Sequence, residues 1–195
     1  MSVIRQLSLL GADGSAPVPD DLAGLLVGGG EVTRSGEAAQ VSIVVDHPWR
    51  ASVLVAECAR RGLAATCVAT VADHIGVRTA HSVLLTPLAV AWSDGAVKRV
   101  PRGFSLAGQV LRLWVEAEGR YESSGAYVLP VGRIGEESRT ALGAALAAIG
   151  IAAQLVSPRG GSGLSYRIVG KRRLGRLAEM VGDPPKQAPP DIWPS

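Results

Sequence analysis

Aromatic residues are scarce in this chain: one Phe, three Tyr and four Trp among 195 residues. With so few large rings and 24 glycines, the interior must be filled by aliphatic side chains, and backbones must approach closely somewhere. Cysteine is nearly absent. Cys58 and Cys67 are the only two, which excludes a disulfide framework and a thiolate zinc site and reads as two buried thiols in a reduced cytosolic protein. The three histidines, His47, His74 and His81, have no metal-ligand spacing. No apolar run approaches about 18 residues, so no segment reads as a transmembrane helix. The N-terminus lacks a signal-peptide apolar region and an A-x-A site, so no secretory signal is read. No Ser-His-Asp order, P-loop or dinucleotide fingerprint occurs, so neither triad hydrolysis nor nucleotide binding has a signature here.

What is present is a globular composition, 47% hydrophobic and 19% charged, with charge that is unevenly placed. Residues 1–98 carry 7 Lys/Arg and 9 Asp/Glu, whereas residues 99–195 carry 13 and 8. The net +3 is thus −2 in the first half and +5 in the second. A basic second half is compatible with a polyanionic partner and equally with an ordinary solvated surface.

The strongest signal is an internal repeat at an offset of about 89 residues. LAGLLVGGGEVTRSG from Leu22 aligns with LRLWVEAEGRYESSG from Leu111. An alternating apolar stretch follows each, AQVSIVV and AYVLPVG. ECARRGLAATCV from Glu57 aligns with ALAAIGIAAQLV from Ala145, and VRTAHSVLLTPL from Val77 with YRIVGKRRLGRL from Tyr166. The last pair sets Arg78 opposite Arg167, Leu85 opposite Leu174 and Leu88 opposite Leu177. Two copies are too few for a solenoid, and a pseudo-two-fold pair burying a common face is the simpler architecture.

Each unit reads as αββαββα. The first helices span about 20–29 and 105–118. Hairpins follow at about 31–36 and 39–45, then 120–124 and 126–132. Middle helices at about 47–61 and 135–149 stop at Gly62 and Gly150, where a left-handed residue is wanted. Second strand pairs lie at about 64–71 and 75–80, then 152–157 and 164–169. Closing helices lie at about 83–92 and 171–181. This is an α+β fold with helices covering one face of each sheet. The division is an N-terminal extension (1–19), a first repeat (20–92), a linker (93–103), a second repeat (104–182) and a proline-rich tail (183–195) that Trp193 could dock onto the body.

The unit order, and a helix ending in acidic-Gly just before a hairpin, resemble the LAGLIDADG homing endonuclease family over about Asp20 to Trp193. The resemblance implies two motif helices side by side at the pseudo-two-fold, with the paired sheets forming a saddle on the DNA major groove. It implies a last acidic residue on each helix holding a divalent metal, Mg²⁺, over the DNA backbone, and a lysine nearby, for which Lys98 and Lys171 are candidates. The same motif occurs in DNA-binding proteins that do not cut, such as the N-terminal domain of the sporulation regulator WhiA. Read against the motif, the catalytic positions are Gly29 and Glu118, and the other acidic positions are Val27 and Glu116. Glycine has no side-chain oxygen, so a symmetric metal pair is not available. Glu118 remains either a residual Mg²⁺ ligand able to support nicking or a plain helix-end acid. Ala-Asp-Gly at Ala12 to Gly14 mimics the motif tail, but the proline-broken loop after Asp13 does not supply the required hairpin.

Gly24 and Gly28 lie four apart on one helix face, where a second helix can come close, and Leu113 and Ala117 are their counterparts on the mate helix. Outward strand positions should carry the DNA contacts: Arg34, Arg78, Arg120 and Arg167, with Arg159 in a glycine-rich loop. Lys171 and Arg172, opening the last helix, read equally as a phosphate-contacting patch or a solvated face. The expectation is a monomeric, cytoplasmic, nucleoid-associated DNA-binding regulator that does not cut and needs no cofactor. Two alternatives stay open: a weak Mg²⁺-dependent nicking enzyme using Glu118, and an RNA-binding or protein-interaction scaffold whose specificity comes from a protein partner.

Overall fold

A computed structural model of the chain describes residues 11–70, 74–95, 97–157 and 163–195. Pro19 opens a 3-10 turn at Pro19–Leu22, and Asp21 fixes its entry by accepting the Val18 N–H at 2.8 Å. Helix α1, Ala23–Val27, follows and is buried along its whole length. Strand β1 (Glu31–Ser35) turns through Gly36, at φ +61°, into β2 (Ala38–Val45). Pro48 sits in the first turn of α2, Pro48–Arg60, where its missing N–H costs nothing. Strands β3 (Ala65–Ala69) and β4 (Ile75–Thr79) and helix α3 (Thr86–Trp92) complete the first unit.

The second unit repeats this plan with α4 (Gly108–Glu118), β7 (Arg120–Tyr121), β8 (Tyr127–Val131), α5 (Glu136–Ala148), β9 (Gln154–Val156), β10 (Leu164–Ile168) and α6 (Lys171–Val181). Gly62 at φ +72° and Gly150 at φ +85° end the two middle helices in the left-handed region, as their position after α2 and α5 predicts. The two sheets are antiparallel and topologically identical, β1-β2-β4-β3 and β7-β8-β10-β9. Helices pack on one face of each, as expected for the α+β class.

The segment expected to be a plain linker holds a short hairpin, β5 (Ser93–Asp94) and β6 (Val97–Lys98). It delivers Lys98 into the interior, where it is buried. Ala12–Gly14 is a 3-10 turn leading into an extended segment rather than a hairpin. The tail is docked: Trp193 is buried, donates its indole N–H to Gly182 O at 2.9 Å and lies under the Arg112 guanidinium at 5.2 Å.

One continuous core runs through both units. Leu22, Leu25 and Leu26 of the first meet Leu111, Leu113 and Trp114 of the second, all at 2% exposure or less. The core is made mainly of branched aliphatics, with Trp92, Trp114 and Tyr127 as its large pieces. Among the described residues no helix is long and apolar enough to cross a membrane.

Candidate nucleic-acid interface

The centre of the molecule is the contact between α1 and α4. At Gly24, a Cβ would stand 2.1 Å from the Val110 carbonyl oxygen and 2.9 Å from Leu113 Cβ. Only glycine lets the two backbones come this close. Leu113 faces Gly24 across the pair, and Ala117 is buried one turn further along.

The triple glycine has a spatial explanation and not a conformational one. Gly28, Gly29 and Gly30 are absent from the positive-φ residues, so none needs glycine for its backbone angles. What they supply is room. A Cβ at Gly28 would stand 1.7 Å from Glu118 Oε2, and one at Gly29 would stand 2.9 Å from Oε1. A Cβ at Gly30 would meet the Leu25 carbonyl at 2.5 Å. The group that fits over the glycines is the carboxylate at the end of the mate helix. Gly29 donates its N–H to Glu118 Oε2 at 2.9 Å.

Two buried cations close the helix ends. Lys98 Nζ donates to Gly28 O at 3.0 Å and to Gly30 O at 2.6 Å, and stands 3.6 Å from Glu31 Oε1. Arg50, on α2, donates to Val115 O at 3.2 Å, Glu116 O at 2.7 Å and Gly119 O at 2.6 Å, with Asp46 at 3.0 Å on its other side. Each motif helix thus meets a positive charge at its C-terminal, partially negative end. Burial raises the Glu118 carboxyl above the usual carboxylate range, opposed by the Gly29 N–H and by Lys98, Arg50 and Arg120. Burial lowers the Lys98 ammonium, opposed by Glu31 and Glu118.

Glu116, the other acidic position of the second motif, points the opposite way into the core. It is fully buried, with Arg112 Nε 2.9 Å from Oε1 and no well-aligned hydrogen bond to either oxygen. Burial pushes its carboxyl up to about 7. Nearby, Arg61 ties α2 to Asp21 and to Gln109 on α4.

The outward faces of the sheets follow from the period-two alternation of strands. On the first sheet, Val41, Ile43 and Val45 point into the core, so Gln40, Ser42 and Val44 point out. Arg78 lies opposite Ser42 and Thr66 and shares that outward face. On the second sheet Arg120 and Arg167 both lie opposite Val128, which is itself buried, and Arg167 alternates with buried Tyr166 and Ile168 along β10. Arg78 and Arg167 therefore hold equivalent places on the two faces. Arg167 is braced by Glu122 at 2.9 Å and Ser124 at 3.0 Å. Arg34 does not join them: it lies opposite Ala39, which is buried under the helices, so it sits on the reverse side of its edge strand. One step of register separates the expectation from the outcome. Lys171 and Arg172 are exposed on the first turn of α6, in the helical layer behind the sheet. Arg159 lies outside the described residues.

No protein-family model matches the chain, and no curated protein does. Solved structures do. The homing endonuclease I-WcaI, solved bound to its DNA recognition sequence, superposes with a TM-score of 0.64 at 10% identity, over 86% of this chain and 81% of that one. The N-terminal LAGLIDADG domain of DUF199/WhiA matches with a TM-score of 0.59 at 12% identity, over 88% and 85%. The chain has a LAGLIDADG homing-endonuclease-like fold. Full-length DUF199/WhiA from Thermatoga maritima matches at 0.64 and 13% identity, over 89% of this chain and 58% of that longer one. At these identities the likeness is one of fold.

A LAGLIDADG-type metal pair does not fit the residues at the helix ends. One of the two positions is Gly29, which has no side-chain oxygen and directs its N–H at the other. The remaining carboxylate, Glu118, is turned onto that N–H among the positive charges of Lys98, Arg50 and Arg120. A hard divalent ion needs several oxygen ligands and few neighbouring cations. Among the described residues no three His, Cys, Asp or Glu side chains come close enough to hold a metal ion. Sequence reasoning left Lys98 unplaced and missed Arg50. Arg50 had a signal: it shares the buried stripe of α2 with Val53, Leu54 and Cys58, a charge where a core residue belongs.

Proposed function

We propose that this LAGLIDADG-like protein binds duplex DNA across the outward faces of its two sheets without cleaving it, as a regulator rather than a nuclease. The fold is shared with a homing endonuclease solved on its DNA recognition sequence, and Arg78, Arg120 and Arg167 stand on the outward faces of the two sheets, which the helices leave open. The observation that carries the loss of cleavage is the Gly29–Glu118 hydrogen bond. One motif acid is gone, and the other serves as its partner's hydrogen-bond acceptor. In this reading the protein requires no metal.

The faces are unequal. The first bears Arg78 and Glu31, while the second bears Arg120 and Arg167. Affinity rests mainly on the second repeat, the half with net +5. The test is fluorescence anisotropy of a mixed-sequence duplex titrated with protein across a salt series. Binding should weaken steeply with salt. Arg167→Ala and Arg120→Ala should each weaken it and flatten the salt slope by about 1. Binding that ignores salt and all three arginines would contradict the assignment. Tighter binding to single-stranded or duplex RNA would move the reading to RNA.

A further inference from the structure

The two closing helices occupy the same place in their repeats but present opposite surfaces. On α6 the outward positions are Arg172, Arg173, Arg176 and Glu179, a charged face in water. The positions 89 residues earlier are Val83, Leu84, Pro87 and Val90, and all four are exposed. Val83 is 63% exposed, Leu84 49% and Val90 56%. From Ser82 to Ser93 the chain has no charged residue. The inward positions are unchanged: Leu85 and Leu88 are buried as Leu177 is. Packing within the repeat is therefore satisfied without the outer residues. A charged face in one repeat and an uncharged apolar one in the other, on the same scaffold, marks a surface that something covers.

We propose that this face of α3 is the interface of a two-fold homodimer. Three features select a second copy as the occupant. The apolar ridge Val83–Pro87–Val90 is flanked by a groove on each side. One, of about 730 Å³, lies between α3, the edge of β1 and the β5–β6 hairpin, and has Val90 and Val97 in its walls beside Glu31, Arg34 and Lys98. The other, of about 420 Å³, runs along Pro87, Ala91 and Phe104. A ridge beside its own groove is self-complementary: a two-fold axis seats each ridge in the other copy's groove. The ridge is also free of charge, so it enters the second copy's groove without burying an unpaired charge of its own, whereas the α6 face could not. Finally, the rim carries Arg34 and Glu37, and neither forms an ion pair among the described residues. An isologous contact presents each copy's guanidinium and carboxylate to the other. The α3 face lies behind the first sheet, so both outward faces stay open in the dimer.

The test is sedimentation velocity of the full chain, without DNA, over a wide concentration range. The result expected is a species of twice the 20.1 kDa chain mass. Val90→Glu and Val83→Asp should each weaken dimerisation by more than about tenfold, since either buries a charge at the interface centre. Their melting curves, extrapolated to low concentration, should match the parent's. Arg172→Glu, on the equivalent α6 position, should leave the dimer intact. A monomer at every concentration overturns the proposal and leaves the face to a different protein. So does a dimer indifferent to Val90→Glu and Val83→Asp. Because no nucleic acid is present, failure here is separable from failure of the DNA-binding reading.

Discussion

Gly29 and Glu118 hold the same position in the two halves of the chain, 89 residues apart, and they are hydrogen-bonded to each other: the Gly29 N–H meets Glu118 Oε2 at 2.9 Å. Where the motif resemblance implies two metal-bearing acids, this protein has a donor and an acceptor. The pair joins the C-terminal ends of α1 and α4, with Lys98 and Arg50 on the carbonyls around it.

The glycines of α1 differ in what they tolerate. Gly24→Ala drives a methyl into the Val110 backbone carbonyl, which cannot swing away. We expect a loss of about 2–4 kcal/mol of stability. Gly28→Ala collides with the end of the flexible Glu118 side chain and otherwise touches Trp114 Cδ1 at 3.4 Å, an ordinary contact. It should cost less, and should release the carboxylate from Gly29. Urea unfolding of the two variants checks the order.

Lys98→Met keeps the stem and removes the charge that caps Gly28 O and Gly30 O. Leaving those carbonyls unmet should cost about 2–4 kcal/mol. It should also raise the Glu118 carboxyl further, because Lys98 is one of the charges holding it down. Chemical denaturation and ¹³C-detected titration of Glu118 measure the two effects separately.

Glu116 gives a pH dependence of defined sign. Its carboxyl is raised in the folded state to about 7 from an ordinary 4.5. Between those values the folded chain holds a proton that the unfolded chain has lost, so this group's contribution is full below about pH 4.5 and is lost as pH rises toward 7. Glu116→Gln removes that term. The stability of the variant relative to the parent should rise across the interval, and a constant difference would contradict it.

Arg78→Ala should weaken duplex binding and Arg34→Ala should not. The two belong to one sheet, on β1 and β4 with β2 between them, but point to opposite faces. Anisotropy titrations of both variants at one salt concentration decide it.

Much of this was legible before any coordinates. Gly62 and Gly150 marked the ends of the middle helices because their left-handed angles are a local requirement. Gly24 opposite Leu113 could be read from spacing and the repeat. The orientation of Arg34 was not legible, since one residue of hairpin register flips every side chain. Lys98 was a candidate for the lysine near the helix ends, but its burial was not legible, because it lies in a segment that looks like a linker and its carbonyl partners stand about 70 residues earlier. The reason for Gly28 and Gly29 was also long-range: it lay in the length of the Glu118 side chain, on the other repeat.

The most direct test of the account is incubation of the purified protein with supercoiled plasmid at low salt, with and without Mg²⁺, scoring retention and strand integrity together. The account predicts retention in both conditions, lost at high salt, with every molecule still supercoiled. Mg²⁺-dependent nicked circles, abolished by Glu118→Gln, would contradict it, because the carboxylate that Gly29 holds would then be a working metal ligand.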